Sequence, residues 1–272
     1  MGAPLLDLVA VAYEAPEETA AFLRSLAHLD VPYRLLVIEN YSPGMATLDA
    51  IRKNIPDDAH IITNTENVGY ARAVNQGMSF WAHPAPYAAI LNCDVQFIEG
   101  EKIQQIIDAF ETFPDIGVIG PRTRTSNGKL THAGIVTTDA EPRNHHRGWM
   151  EPDLGQYKDA LEVNTVSGAT YFVRTKMWLE LTECADYQRA AKAACEVEAT
   201  GAFLPTKHFF EETFCSYHAR QHGWRVVYMG SVAMIHEWHR SSKPGSQSFL
   251  VPQAQFARAC IMCGIDMAGE VE

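Results

Sequence analysis

Short apolar segments and helix-like segments alternate through the first 113 residues, and this alternation most constrains the fold. The apolar segments have the composition of buried strands and lie at residues 5–12, 33–39, 60–63 and 88–92. The helix-like segments begin at Pro16 and cover residues 45–54, 69–81 and 100–113. Strands that alternate with helices form parallel sheets through right-handed crossovers. The sequence therefore predicts an α/β fold with a Rossmann-like, mostly parallel central sheet flanked by helices.

The second half of the chain has a less regular pattern. Strands are predicted at residues 117–120, 168–173 and 224–229, and helices at 186–199 and 208–222. No internal repeat is visible. We expect one compact unit with a nucleotide-binding half at residues 1–120, an irregular half at 121–272 and a C-terminal tail from about residue 243.

Composition excludes several classes of protein. The chain has 272 residues, 47% of them hydrophobic, which is enough for a full core. Its net charge of −11 argues against a general grip on nucleic acid, which needs clustered Lys and Arg. No uncharged apolar segment approaches the roughly 20 residues of a membrane span. The apolar first 12 residues contain Asp7 and lack a basic leader, so we expect no signal peptide and a cytoplasmic protein.

The six cysteines are scattered, except for Cys260 and Cys263. That pair lacks a second pair, or a histidine cluster, at the spacing of zinc ligands. Ordinary reduced thiols are therefore expected, in keeping with a reducing compartment.

Residues 64–97 indicate a site for a phosphate-bearing ligand and a metal ion. A polar loop with Gly69 leads into a helix, and a helix amino terminus is a ready anion site. The next strand ends on Asn92, Cys93 and Asp94. Ligands of α/β sheets bind at the carboxyl ends of the strands, where this acidic residue is expected.

Several segments together resemble the inverting family 2 glycosyltransferases of the GT-A fold, with a rhamnosyltransferase-like branch as the nearest pattern. The segments are Val9-Ala10-Val11-Ala12-Tyr13, Leu36-Val37-Ile38-Glu39-Asn40, residues 67–77 (NVGYARAVNQG), Leu91-Asn92-Cys93-Asp94-Val95, His146-Arg147-Gly148-Trp149, Val166-Ser167-Gly168-Ala169, Glu211-Glu212, residues 223–228 (GWRVVY) and His236. Their order and spacing over residues 5–242 carry the resemblance.

The resemblance implies a hexosyltransferase-type enzyme that moves a sugar from a nucleotide diphosphate to an acceptor hydroxyl with inversion. Mn²⁺ or Mg²⁺ is the implied cofactor, and UDP-sugars are the favoured donors. A homo-oligomer is left open. The implied donor contacts are Ala12, Tyr13, Glu14, Glu39, Asn40, Asn67, Gly69, Arg72, Asn75, Asn92, Cys93, Ser167 and Gly168.

Asp94 and His236 are the implied metal ligands, with His239 as a substitute for His236. Asp94-Val95-Gln96 lacks the second acid of a DxD pair, so the protein supplies fewer charged ligands. The alternative for Asp94 is that it caps a following helix.

Glu212 is the implied general base, and Glu211 is the alternative base or a ligand of the acceptor hydroxyl. The family usually has Asp at the position of Glu212, and Phe214 replaces a common second Asp. Adjacent acids at a helix start also compensate the helix dipole, which is the simpler alternative.

Two other functions remain open at this point. A nucleotidyltransferase of similar architecture is disfavoured because residues 12–16 lack a glycine-rich, basic loop. An inactive nucleotide-sugar-binding module is disfavoured because Asp94, Glu212 and His236 are all present. The acceptor is undetermined among a glycan, a lipid-linked glycan, a small molecule and, less favoured, a hydroxylated base of modified nucleic acid. The segment at 182–200 is expected to shape the acceptor site or an oligomer interface.

Overall fold

The computed structural model describes residues 4–138, 141–237 and 247–265. The strands are β1 (Leu6–Ala12), β2 (Tyr33–Glu39), β3 (His60–Thr63), β4 (Tyr87–Asn92), β5 (Val95–Phe97), β6 (Ile116–Arg124), β7 (Leu130–His132), β8 (Ile135–Thr138), β9 (Glu141–His146), β10 (Ala160–Glu162), β11 (Thr170–Arg174) and β12 (Arg225–His236). The helices are α1 (Pro16–Ser25), α2 (Ala46–Asn54), α3 (Tyr70–Met78), α4 (Gln104–Thr112), α5 (Thr175–Glu183), α6 (Ala185–Cys195), α7 (Glu211–Gln221) and α8 (Gln247–Cys263).

One sheet runs through both halves of the chain in the order β10-β12-β6-β11-β4-β1-β2-β3, with β5 beside β12 and β7 beside β6. Strands β1 to β4 pair in parallel, as the alternation predicted. The sheet becomes mixed beyond β4, because β11 enters from the opposite end and lies antiparallel to both β4 and β6. The expected division near residue 120 falls inside β6, so the two halves share this sheet.

Helices cover both faces of the sheet. All seven residues of β1 are buried, and they alternate between the two cores: Leu6 and Leu8 pack with α1, α2 and α4, whereas Val9 and Val11 face α3, α5 and α7. This alternation is the two-residue period of a strand. A third core joins α6, α7 and α8 through residues such as Tyr187 and Phe214. One face of the predicted helix in the 182–200 segment is therefore covered by α8.

No described helix is both long and apolar enough to cross a lipid bilayer.

Candidate functional site

Asp94 lies in the tight turn between β4 and β5, at the edge where the parallel strands end. Strand β5 pairs antiparallel with β12 and places Val95 opposite His236. This register brings His236 Nε2 to 3.5 Å from Asp94 Oδ1, with side-chain exposures of 7% and 17%. A strand follows Asp94, so the helix-capping alternative is wrong. His239 lies outside the described residues.

The arrangement of Asp94 and His236 fits a divalent cation. Two ligands of one octahedral ion at bond lengths near 2.1 Å are separated by about 3 Å, close to the observed 3.5 Å. One carboxylate and one imidazole leave most coordination positions for phosphate oxygens and water. This donor set agrees with the expectation of few charged protein ligands.

His132, on β7, is a neighbour of His236 that the sequence motifs did not identify as a site residue. It is 1% exposed, and its Nε2 accepts a long hydrogen bond of 3.5 Å from the Ser167 amide. Burial holds its pKa well below the usual histidine range, and His146 and His236 lower the pKa further. His132 is therefore a neutral imidazole that links the His236 edge to the 166–169 segment.

Glu211 and Glu212 begin α7, beside the same segment. Glu211 is buried and its Oε2 accepts a hydrogen bond of 3.3 Å from Thr206 Oγ1. Glu212 is half-buried and accepts a hydrogen bond from the amide of Gly168. A Cβ atom on Gly168 would lie 3.2 Å from the Glu212 carboxyl carbon, so the absence of a side chain there makes room for this carboxylate.

Burial raises the pKa of both glutamates above the usual range, and the charge of Glu212 raises the pKa of Glu211 further. The helix amides of Glu212 and Thr213 act in the opposite direction on Glu212. Carboxylates of raised pKa inside a cleft are typical of proton-transfer groups.

Tyr70 is a second residue that the motif analysis did not single out. Its hydroxyl donates a hydrogen bond of 2.9 Å to the carbonyl of Gly168. Burial raises the pKa of Tyr70 well above its usual range, and the charges of Glu211, Glu212 and Asp94 add to the shift. Tyr70 thus lies near both Asp94 and the two glutamates, and it is protonated at neutral pH. Its place directly after Gly69 in the loop-helix motif was the available signal.

The chain enters α7 through a strained backbone. Phe209 and Phe210 have φ angles of 69° and 68°, in the left-handed region that large side chains rarely adopt. Phe210 stacks on Phe256 of α8, with ring centroids 5.2 Å apart. Strain of this kind persists where surrounding contacts hold it. Helix α8 thereby supports the segment that positions the glutamates.

The 64–69 loop is held by the protein itself. Asn40 Oδ1 accepts hydrogen bonds from Asn64 and from the Val68 amide, and its Nδ2 donates to Asn67 Oδ1 at 3.2 Å. Asn40 is 3% exposed and shapes the loop, and its expected contact with the donor stays a prediction.

Gly69 is needed for a close approach between chain segments. Its φ is 87°, and a Cβ there would lie 2.6 Å from the Lys207 carbonyl oxygen. The Tyr70 amide donates to that same oxygen at 3.1 Å, so the first amide of α3 is already bonded within the protein. The expected contact of Gly69 and this helix terminus with a phosphate stays a prediction for the amides that follow Tyr70.

Asn75 and Cys93 also face inward. Asn75 is fully buried, and its amide group exchanges two hydrogen bonds with the Phe203 backbone, at 2.8 and 3.2 Å. Cys93 is 7% exposed in the core beside α1, where burial raises the pKa of its thiol to about 11. Both side chains therefore have structural roles, and their expected contacts with the donor stay predictions.

Ala12 and Glu39 end neighbouring strands. The Ala12 side chain is fully buried, so only its backbone is near the edge of the sheet. Glu39 is 4% exposed, and its carboxylate accepts hydrogen bonds from the amides of Tyr41 and Ser42, at 3.2 and 2.7 Å. Glu39 therefore holds the turn after β2, and its predicted contact with a nucleobase stays a prediction for its remaining lone pairs.

The other predicted donor-side residues lie near the surface. Tyr13 is 40% exposed, and its hydroxyl interacts with the side chains of Glu14 and Asn67. Arg72 is exposed on the first turn of α3. Asn92 is half-buried at the end of β4, and its backbone amide donates a hydrogen bond of 3.0 Å to the Ala169 carbonyl.

Ser167 belongs to the small-residue segment beside Glu212. Its hydroxyl accepts a hydrogen bond of 3.3 Å from the Ala169 amide. The structure thus brings Asp94, His236, Ser167, Gly168, Glu211 and Glu212 into one connected cluster, together with His132 and Tyr70.

Comparison with known proteins identifies the family and the fold of the chain. The family model described as "Glycosyl transferase family 2" matches residues 7–158, more than half of the chain. No curated protein matches the sequence.

Two solved structures share the fold at low identity. S. aureus TarS is 13% identical, with a TM-score of 0.54 over 86% of this chain and 36% of TarS. GalNAc-T7, solved with UDP, GalNAc and Mn²⁺, is 11% identical, with a TM-score of 0.66 over 95% of this chain and 48% of GalNAc-T7. The chain therefore spans less than half the length of these neighbours. The expected GT-A architecture is confirmed.

Proposed function

The chain belongs to glycosyl transferase family 2, and from this premise we propose that it is a metal-dependent inverting enzyme that transfers a sugar from a nucleotide diphosphate to an acceptor hydroxyl. One observation carries the proposal. The Asp94–His236 pair, with 3.5 Å between its ligand atoms, and the Glu212 carboxylate both lie close enough to Tyr70 for the charges of Asp94 and Glu212 to raise its pKa. A leaving-group site and a base site close together are what a single displacement needs.

Asp94 and His236 form the leaving-group side of the proposed site. A divalent cation bound there would neutralise the negative charge of the departing diphosphate. The protein contributes an oxygen and a nitrogen ligand from two strands whose pairing fixes their separation. The guanidinium of the exposed Arg72 is placed on the first turn of α3, where it can reach a phosphate oxygen.

Glu212 forms the acceptor side. The acceptor oxygen attacks the anomeric carbon while the bond from that carbon to the diphosphate breaks, and the hydroxyl proton passes to the Glu212 carboxylate. The Gly168 amide orients the carboxylate, and the Tyr70 hydroxyl fixes Gly168 from the other side. Glu211 is bonded to Thr206 and is more buried, so it is the less suitable base.

UDP-sugars are the favoured donors within this proposal, with a hexose as the transferred sugar and rhamnose as a second donor class. Tyr13, Glu39 and Asn67 are the proposed contacts of the nucleoside, and Ser167 and Gly168 those of the sugar. The acceptor classes stay open between a glycan, a lipid-linked glycan, a small molecule and a hydroxylated DNA base. A cytoplasmic location and a homo-oligomer belong to the same proposal.

The test is a Glu212→Gln variant assayed for donor binding and transfer. The amide keeps the size of the side chain but cannot accept the proton, so we expect kcat to fall by about 10²- to 10⁴-fold with donor affinity nearly unchanged. Glu111→Gln, on the exposed surface of α4, is the matched control. Unchanged transfer by Glu212→Gln removes the base assignment.

The reaction products separate the proposal from its alternatives. A glycosyltransferase releases a nucleoside diphosphate from the donor, whereas a nucleotidyltransferase releases pyrophosphate from a nucleoside triphosphate. A binding module holds the donor without releasing either product.

A further inference from the structure

A second cluster of metal-ligating side chains lies away from the proposed catalytic site. Ligand atoms of Cys184, His218 and His222 all lie within 4.8 Å of one another. Cys184 is at the junction of α5 and α6, and both histidines are on α7. These three side chains come from segments more than 30 residues apart, so their meeting is a product of the fold.

Helix geometry explains the histidine pair. Residues four apart lie on one face of a helix, and the rings of His218 and His222 have centroids 4.6 Å apart. Cys184 ends α5, and its backbone carbonyl accepts a hydrogen bond from Gln188 in the first turn of α6. Cys184 thus lies at the bend between these two helices, where its sulfur is within 4.8 Å of the histidine ligand atoms on α7.

His218 has a ring nitrogen that the protein leaves without a hydrogen bond. Its side chain is 1% exposed, and Nδ1 is buried with no hydrogen-bond partner among the described residues. The rings of Tyr187 and Phe214 pack against it, at centroid distances of 5.5 and 5.6 Å. A buried polar nitrogen without a hydrogen-bond partner destabilises the folded protein unless a ligand binds it.

The surroundings of the cluster resemble those of a bound metal. His222 Nδ1 lies 3.7 Å from Glu180 Oε1, and a carboxylate behind a ligating histidine orients its ring. Cys263, on α8, packs against the same third core as Cys184. The carbonyl of Cys263 accepts a hydrogen bond of 2.9 Å from Gln221 on α7.

We propose that Cys184, His218 and His222 form a Zn²⁺ site that joins the α5–α6 junction to α7. One sulfur and two imidazole nitrogens are ligands typical of zinc. Zinc bonds of about 2.0 to 2.3 Å in a tetrahedron place ligand atoms about 3.3 to 3.7 Å apart, so the side chains need to close by at most roughly 1.5 Å on binding. Water or the Cys263 thiol fills the fourth position.

The site is distinct from the proposed catalytic metal. His218 follows Glu212 by six residues on the same helix, a distance of about 9 Å along its axis. Zinc at this place stabilises α7 and the α5–α6 bend without contacting Asp94 or His236. The sulfur of Cys184 is also a softer ligand than the carboxylate oxygen of Asp94.

The test uses the untagged full chain, stripped with a chelator and then titrated with Zn²⁺ against a chromophoric competitor. We expect one tightly bound equivalent, a higher melting temperature with zinc, and on Co²⁺ substitution the near-ultraviolet thiolate band and visible bands of a tetrahedral site. Cys184→Ser and His222→Gln should each weaken binding by at least about 100-fold and abolish or change the Co²⁺ spectrum.

Matched controls separate this site from general effects. Cys195→Ser, at the other end of α6, and His28→Gln, an exposed histidine, should retain zinc binding. Asp94→Asn should also retain it, because that change affects only the other site. His222 is exposed, so His222→Gln is expected to fold even where Cys184→Ser does not. Absence of a bound equivalent, or equal zinc affinity in His222→Gln and the parent, overturns the proposal.

Discussion

Glu39 and Glu212 are the same residue type in two different environments, and their surroundings indicate different roles. Glu39 binds the amides of Tyr41 and Ser42 and holds a turn. Glu212 meets the amide of Gly168 beside a second buried acid, Glu211. The sequence supplied the residue types of these candidate site residues. It did not predict which side chains would face inward, because burial depends on contacts across the fold.

Stability should depend on pH through Glu211. Burial and the charge of Glu212 raise its pKa in the folded protein, so the folded state binds more protons than the unfolded state. The free energy of unfolding therefore falls as pH rises from the unfolded pKa, about 4.5, through the raised folded pKa. Urea unfolding of Glu211→Gln across this range should give a flatter pH dependence, and the Glu111→Gln control should follow the parent. Identical slopes in Glu211→Gln and the parent contradict this account.

Tyr70→Phe should lower kcat by about 2- to 10-fold, the equivalent of one hydrogen bond. The lost hydroxyl no longer fixes Gly168, whose amide orients the Glu212 carboxylate. Donor KM should change little, since the hydroxyl faces the base. Steady-state kinetics check this, with Tyr41→Phe as the control because Tyr41 is 55% exposed. A rise in KM with constant kcat is the opposing result.

At the scale of the elements, the first strands were predicted closely, whereas a three-residue strand and the second half of a long strand were missed. Strands β2 and β3 have the predicted bounds, and β1 differs by one residue. The three-residue strand β5 and the long β12 were not predicted as such, because residues 95–97 are too few for a period and Gly230 interrupts the β12 pattern. Their pairing nevertheless creates the Asp94–His236 contact.

Gly69→Ala should destabilise the protein more than Gly44→Ala. Both glycines have a left-handed φ, 87° and 75°, but only Gly69 has a neighbour that a Cβ would strike, the Lys207 carbonyl oxygen. Gly44→Ala should lose only the conformational cost of a left-handed backbone at a residue with a Cβ atom, about 1–2 kcal/mol. Urea unfolding measures both variants, and equal losses of stability exclude the proposed close packing of the loop on the 205–210 segment.

Helix α8 should influence activity through the strained segment before α7. Phe256→Ala removes the ring of a half-buried residue that stacks on Phe210, so we expect lower stability by about 1–3 kcal/mol and a reduced kcat. Ile261→Ala, on the same helix at 70% exposure, is the control. Full activity of the folded Phe256→Ala protein argues against this support.

At the scale of the whole molecule, one sheet carries both sides of the site. The short strand β5, which follows β4, pairs with β12, and α7 packs against β12 from the helical layer. The alternation of elements predicted the first half of this sheet. The insertion of β11 and the meeting of distant side chains, including Cys184 with His218, depend on long-range pairing that no local pattern contains.

The most direct test of the central claim is nucleoside diphosphate release from a panel of nucleotide sugars, measured with Mn²⁺ and with a chelator, for the parent and Asp94→Asn. We predict release from at least one UDP-sugar with Mn²⁺, loss of release on chelation, and loss in Asp94→Asn at equal folded content. Glu39 and His236 variants locate the donor and metal contacts in the same assay. Release that is independent of both the metal and Asp94, or no binding of any donor, contradicts the account.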